Sequence, residues 1–450
     1  MLLVPDRDDG ALRSAVWSRR ELLRRALEGA AAGAVAPAFA GLFVRHALAA
    51  AAAGSAAVRG KQLLLVWLDG GPSHFETFDP KPGVATGGPF GAIDTGIGDW
   101  RFSELLPELA KRAPHLSIVR TITSKESSHG RARDLMHFGY RPNPSVDYPT
   151  LCAIAALEIG DREGDLPPFV QIGGTPRTAG HLPADCAPFF IADGNEKVAN
   201  LECADCELQA AGGGEGATDA RPDRERLEAL RVAIDGEFRE RGHGRTVELF
   251  ETRRRAATRL MRSPLKKAFD LGDEDEATKK RYGGRGFGAS MLLARRLLEA
   301  GVGAVEVELP GFDTHAENFP RHQKLCAALD PALAALLDDL VARGLYERTL
   351  VVCMGEFGRT PSVNAGGGRD HWPNNFPVLL GGGGIRPATV VGRTDDRGET
   401  ILERPVQVAD LFATFATLLG IDGEREFNPT TRRPTKLIDP DGAVVRELLA

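Results

Sequence analysis

Six short apolar runs, separated by longer helical patterns, constrain the fold of this chain more than any other feature. They are Gln62–Leu68, Leu116–Thr121, Pro168–Ile172, Ala304–Leu309, Leu350–Met354 and Val378–Leu380. Each is rich in Val, Ile and Leu with little polar alternation, as expected of strands covered on both faces. From Gln323 to Arg343 the period changes. Leu325, Leu329, Leu333, Leu336 and Leu340 fall on one helical face, leaving Asp338, Asp339 and Arg343 for water. "VADLFATFATLLGI" repeats that pattern near the C-terminus. Strand–helix alternation of this kind predicts an α/β fold with a mostly parallel central sheet sandwiched by helices. A chain of 450 residues is long enough to bury a large core, and residues 58–450 are read as one sheet domain. Residues 202–285 differ: a Gly-rich stretch leads into charged sequence poor in strand formers, read as a mainly helical insertion or cap. "GGRGFG" at Gly283–Gly288 precedes a helical pattern, but no strand leads into it, so it is not a dinucleotide fingerprint.

The first 57 residues form a separate region. Arg19 and Arg20 precede a weakly apolar Ala/Gly-rich tract, and small residues suited to a peptidase follow between Ala47 and Ala57. This arrangement resembles a twin-arginine export signal and predicts a periplasmic or secreted protein that engages the twin-arginine export machinery. The mature chain carries no apolar run long enough for a transmembrane anchor. A formal net charge of −6 argues against a nucleic-acid partner. Cys326 and Cys353 sit in apolar patterns and are expected to be buried thiols. Cys203 and Cys206 form a lone C-x-x-C without the second pair that zinc would need.

The chemistry lies where the strands end. The run Leu63–Leu68 meets Asp69 and two glycines. "GAVEVELPGFDTH" passes through a Pro-Gly turn to Asp313 and His315, and "TLVVCMGEFGRTP" delivers Glu356. A Gly-rich loop then presents Asp370 and His371. In an open parallel sheet the carboxyl ends of the strands share one edge, where ligands bind. Three strands each bringing an acid there would raise one another's pKa values unless a cation compensated them. Histidines among the acids favour one or two divalent ions, zinc, manganese or iron, over calcium.

These residues resemble those of the alkaline phosphatase/sulfatase superfamily. They look more closely like the bacterial family known as domain of unknown function 1501, through "GFDTHAENF", "MGEFGRTP" and "GRDHWPN". The resemblance covers almost all of the mature chain and implies an alkaline-phosphatase-like sheet. It further implies metal ligation by Asp69, Asp313, His315, Glu356 and His371. Phe357 falls where that superfamily carries a ligating histidine, which leaves His74, His129 and Asp370 as substitutes. "SSHGRARDLMHFGYRP" resembles the sulfatase nucleophile segment, with His129 at the nucleophile position after Ser127 and Ser128; a formylglycine sulfatase is therefore disfavoured.

The expected function is that of an exported metal-dependent hydrolase acting on phosphate or sulfate esters, small molecules or saccharides, through metal-activated water. His129 is the candidate acid/base or extra ligand, and Arg133 or Arg359 the candidate anion-binding fork. The alternative is a non-catalytic exported protein that uses the same scaffold to bind a polysaccharide or an envelope partner.

Overall fold

The computed structural model describes residues 60–195, 221–427 and 434–450. The export region and the Cys203/Cys206 pair lie outside the described residues.

Nine strands form one sheet. They are β1 (Gln62–Asp69), β2 (Leu116–Thr123), β3 (Phe169–Ile172), β4 (Phe189–Ile191), β5 (Ala304–Pro310), β6 (Thr349–Met354), β7 (Phe376–Gly381), β8 (Val390–Val391) and β9 (Val406–Gln407). Their order is β8-β2-β7-β6-β1-β5-β3-β4, with β9 also pairing β2. All pairings are parallel except those of β7, which runs against both β2 and β6. The sheet is thus mixed and mostly parallel. All six apolar runs are strands of it, and the sequence offered no hint of β7's direction. Between β6 and β7 the chain makes only a two-stranded ribbon, Gly358–Arg359 against His371–Trp372, and no crossover helix. A strand that returns without a crossover must come back antiparallel.

The central strand shows why alternation is missing from these runs. Leu64, Val66 and Leu68 enter one core, built with helices Phe287–Ala300 and Asn318–Ala342. Leu63, Leu65 and Trp67 enter the other, built with helices α1 (His129–Phe138), α2 (Leu151–Glu158) and Val408–Leu419. Each of these six side chains is wholly buried. Burying one such leucine contributes about 2 kcal/mol.

Two further helices, Arg221–Phe238 and Gly244–Arg262, follow the stretch before residue 221. None of the described helices is long and apolar enough to cross a membrane. One expectation fails on the long helix. Asp339, assigned to the watered face, is buried and accepts from Tyr282 Oη at 2.9 Å and from Arg281. The helical segments around residues 264–300 cover that face, and their arginines replace the water. Cys152, Cys186, Cys326 and Cys353 are buried free thiols.

Candidate metal centre

The loop after β1 explains its own glycines. Gly70 has φ of 104°, and a Cβ there would lie 2.4 Å from the backbone N of Asp313. Gly71 has φ of 77°, and its Cβ would meet the Phe357 ring at 2.6 Å. Only glycine allows both the left-handed turn and this approach of three chain segments. The Gly70 N–H donates to Glu356 Oε1 at 3.0 Å, so the ends of β1 and β6 are tied together at the residues that bear the acids.

Four side chains converge beside this knot: His129, Asp313, His315 and His371 each offer a ligand atom, all within 4.8 Å of one another. His129 is the first residue of α1. Asp313 and His315 occupy the loop between β5 and the long helix, and His371 is held by the ribbon opposite Arg359. From Asp313 Oδ1 the imidazole Nε2 atoms of His315, His129 and His371 lie at 3.2, 3.3 and 3.5 Å. The Nε2 atoms of His315 and His371 face each other at 2.9 Å.

Each ring is held from behind through Nδ1. His129 Nδ1 donates to Glu356 Oε1 at 2.7 Å, His315 Nδ1 to Asp370 Oδ1 at 2.8 Å, and His371 Nδ1 to the Ser127 carbonyl at 2.6 Å. With Nδ1 as the donor, each neutral ring turns the lone pair of Nε2 toward the common centre. His129 Nε2 is buried without a hydrogen-bond partner among the described residues. Lone pairs of two imidazoles aimed at each other repel unless an electrophile stands between them. A tetrahedral ion with bonds of about 2.0–2.1 Å would place its ligand atoms about 3.3 Å apart, close to the separations found. The residues therefore fit a single divalent ion by both spacing and donor chemistry.

Electrostatics organise the surroundings. Arg359 is fully buried. Its guanidinium donates to the carbonyls of Gly70, Gly71 and Arg369 and to Asp313 Oδ1 at 2.7 Å. Burial opposes ionisation of Asp313, but the hydrogen bond and charge of Arg359 prevail and hold its pKa down to about 2. Glu356 raises the pKa of His129 through their hydrogen bond, whereas burial lowers that of His371. Arg359 is thus committed to the interior and does not face a ligand. Phe357, also fully buried, packs its ring 5.0 Å from that of His129 and 4.5 Å from that of His371.

The remaining candidates stand around the cluster. Asp69 Oδ1 accepts from Trp67 Nε1 at 3.0 Å and from Arg133 Nη2 at 2.5 Å. Glu356 and Asp370 lie behind His129 and His315, and His74 is buried outside the cluster, its ring tilted against that of Phe75 at 4.1 Å. On α1, His129, Arg133 and His137 follow one another at four-residue intervals and so share a helical face. They meet Glu356, Asp69 and Glu306 respectively. Glu306 and Trp67 were not singled out from sequence, although H-x3-R-x3-H is a pattern that would have drawn attention to the face. Glu308, near Asp69, Arg133 and Arg177, has its pKa pushed up to about 7 by burial and then by the charge of Asp69.

Comparison with known proteins gives distant likenesses and one membership. No curated protein matches the chain. Among solved structures, it is similar to the PsFucS1 sulfatase from Pseudoalteromonas sp. at 13% identity, covering 87% of this chain and 72% of that one, with a TM-score of 0.39. A protein in the alkaline phosphatase superfamily from Vibrio parahaemolyticus matches at 11% identity over 81% of this chain and 67% of that one, TM-score 0.38. The C-terminal periplasmic domain of EcEptC from Escherichia coli, in complex with Zn, matches at 10% identity over 85% and 87%, TM-score 0.35. The model of the family described as "Protein of unknown function (DUF1501)" matches residues 60–449, and the chain belongs to that family.

Proposed function

We propose that this protein is a metal-dependent hydrolase of phosphate or sulfate esters, on small molecules or saccharides, built around one divalent ion. His129 Nε2, Asp313 Oδ1, His315 Nε2 and His371 Nε2 would hold the ion. The observation that carries this reading is the convergence of three lone-pair-bearing Nε2 atoms on one carboxylate oxygen, each ring fixed through Nδ1. When bound, such an ion supplies Lewis acidity and a water of lowered pKa at neutral pH. The protein's own contributions are separate from that chemistry. Glu356 and Asp370 fix the orientation of His129 and His315. Asp69 anchors the guanidinium of Arg133, whose planar fork suits an anionic ester oxygen. Arg359 offsets the charge of Asp313 from below.

Four protein ligands complete a tetrahedral shell, whereas catalysis needs an open position. Hydrolysis therefore favours an ion that accepts six ligands, such as manganese. The exposure of Asp313 and His315, each nearly half open to solvent, supports access from that side. The same four-ligand count favours a second reading: a closed, structural zinc on a non-catalytic protein that binds a polysaccharide or an envelope partner. Metal analysis of purified protein, followed by aryl phosphate and aryl sulfate assays with and without chelator, separates the two. Turnover that is lost to chelator and restored by manganese supports the hydrolase. Tightly held zinc with no turnover on either ester class supports the structural ion, and failure to take up zinc or manganese on reloading refutes both. The proposal includes export, on the strength of Arg19, Arg20 and the tract that follows. Fusing residues 1–57 to a folded reporter, with Arg19 and Arg20 replaced by lysine as control, tests it.

A further inference from the structure

One cavity is lined in part by Arg177. It occupies about 450 Å³ between the C-terminal half of helix Gly244–Arg262 and the proline-rich segments around residues 162–168 and 176–190. Its walls are largely apolar, formed by Leu166, Pro168, Phe189 and Leu260 among others. Leu260 and Pro168 are buried, and Phe189 is braced edge-on by Phe269 at 5.6 Å. That size falls within the range of small-molecule sites, about 300–1,000 Å³. At roughly 30 Å³ per water-sized group it holds about fifteen non-hydrogen atoms.

The charges around it do not balance. Four arginines line the cavity, Arg162, Arg177, Arg253 and Arg259, against two acids, Asp165 and Asp185. Both acids are already engaged. Asp185 clamps Arg162 through two hydrogen bonds of 2.8 Å, and Asp165 accepts from Ser263 Oγ at 2.8 Å. Among the described residues Arg259 reaches only the carbonyls of Gly164 and Arg162, which carry no charge to cancel its own. Arg253 is exposed and meets no acid within ion-pair distance among the described residues. Arg177 turns Nε toward Glu306 at 3.7 Å and Nη2 toward Glu308 at 3.9 Å, so these acids meet its charge and leave Arg253 and Arg259 as the unmatched pair. An apolar chamber with uncompensated guanidinium groups selects a ligand of matching pattern: an apolar body satisfied by burial and a negative group satisfied by arginine.

We propose that this cavity binds an amphipathic anion, an aryl or medium-chain alkyl group bearing a carboxylate, sulfonate or phosphate. The site needs no metal, so its test is independent of the hydrolase reading. Isothermal titration of the full chain, stripped with chelator, with naphthalene-2-sulfonate and with 2-naphthol compares the same ring with and without the charge. One-to-one binding is expected, with the sulfonate at least tenfold tighter. Ala256→Trp, which fills the chamber from the helix, should abolish binding of both probes, and Arg253→Gln should remove about tenfold from the sulfonate alone. Equal affinity for the two probes, or sulfonate binding undisturbed by both substitutions, would overturn the assignment, as would no binding at millimolar concentration.

Discussion

Glu356 offers the sharpest perturbation, because its two assignable roles predict different magnitudes. Its carboxylate is wholly buried, and a single oxygen, Oε1, accepts from both His129 Nδ1 and the Gly70 N–H, while Oε2 has no partner among the described residues. Glu356→Gln can therefore keep both bonds on its carbonyl oxygen and turn its amide toward the vacant side, removing charge with little change of shape. A hydrogen bond to a charged acceptor contributes about 1.5–3 kcal/mol and a neutral one about 0.5–1.5 kcal/mol. The difference, about 1–1.5 kcal/mol, corresponds to roughly tenfold weaker metal binding, the lower end of what loss of an outer-shell partner costs. His129 should at the same time lose part of its raised basicity. Competition against a chromogenic chelator gives the affinity, and NMR titration of the imidazoles gives the basicity. If Glu356 is itself a ligand, the loss will exceed 100-fold. An affinity equal to that of the unmodified chain would refute the orienting role altogether.

Other consequences are equally open to measurement. Glu308 holds its proton more tightly in the folded chain, near pH 7, than an ordinary carboxyl near 4.5, so folding stability should fall as pH rises through that window. Allowing for solvent screening, the loss is about 1–3 kcal/mol. Glu308→Gln should flatten the profile and be the more stable form at pH 8 but not at pH 4, as read by denaturant midpoints. Arg369→Met leaves the buried carboxylate of Glu76, now 2.8 Å away, without its cation, and should cost about 3–5 kcal/mol in urea unfolding. Gly71→Ala forces a left-handed backbone on alanine and a methyl into the Phe357 ring, which packs on His129 and His371. A loss of about 1–3 kcal/mol in stability is expected, with weaker metal binding by the same chelator competition.

Much of the sheet was legible because both faces of its strands are covered, which leaves short unbroken runs of Val, Ile and Leu between longer helical patterns. The edge strands β4, β8 and β9 were not, being two or three residues long and set by pairing with neighbours. The convergence of Asp313, His315 and His371 could be anticipated from the rule that parallel strands share one carboxyl edge. What sequence could not express was rank within the site. Asp69, Glu356 and Asp370 carry the same chemical group as Asp313, and only their distances distinguish a side chain at the centre from one that steadies it. His129 was suspected from its segment, yet it reaches the cluster because α1 begins there and Glu356 orients its ring. Arg359 reads as a candidate anion-binding fork in one dimension and is a wholly interior cation in three.

For the proposed metal centre, that interior cation predicts an order of assembly. Because a permanent positive charge already rests against Asp313, the polypeptide need not wait for an ion before collapsing, and the pocket should exist as a finished receptacle. Stripping the protein should then be reversible, and reloading should raise the melting temperature only by the mass-action increment set by ion concentration and affinity. On the proposed reading, a receptacle that outlasts its ion also leaves the ion's identity to whatever the compartment supplies.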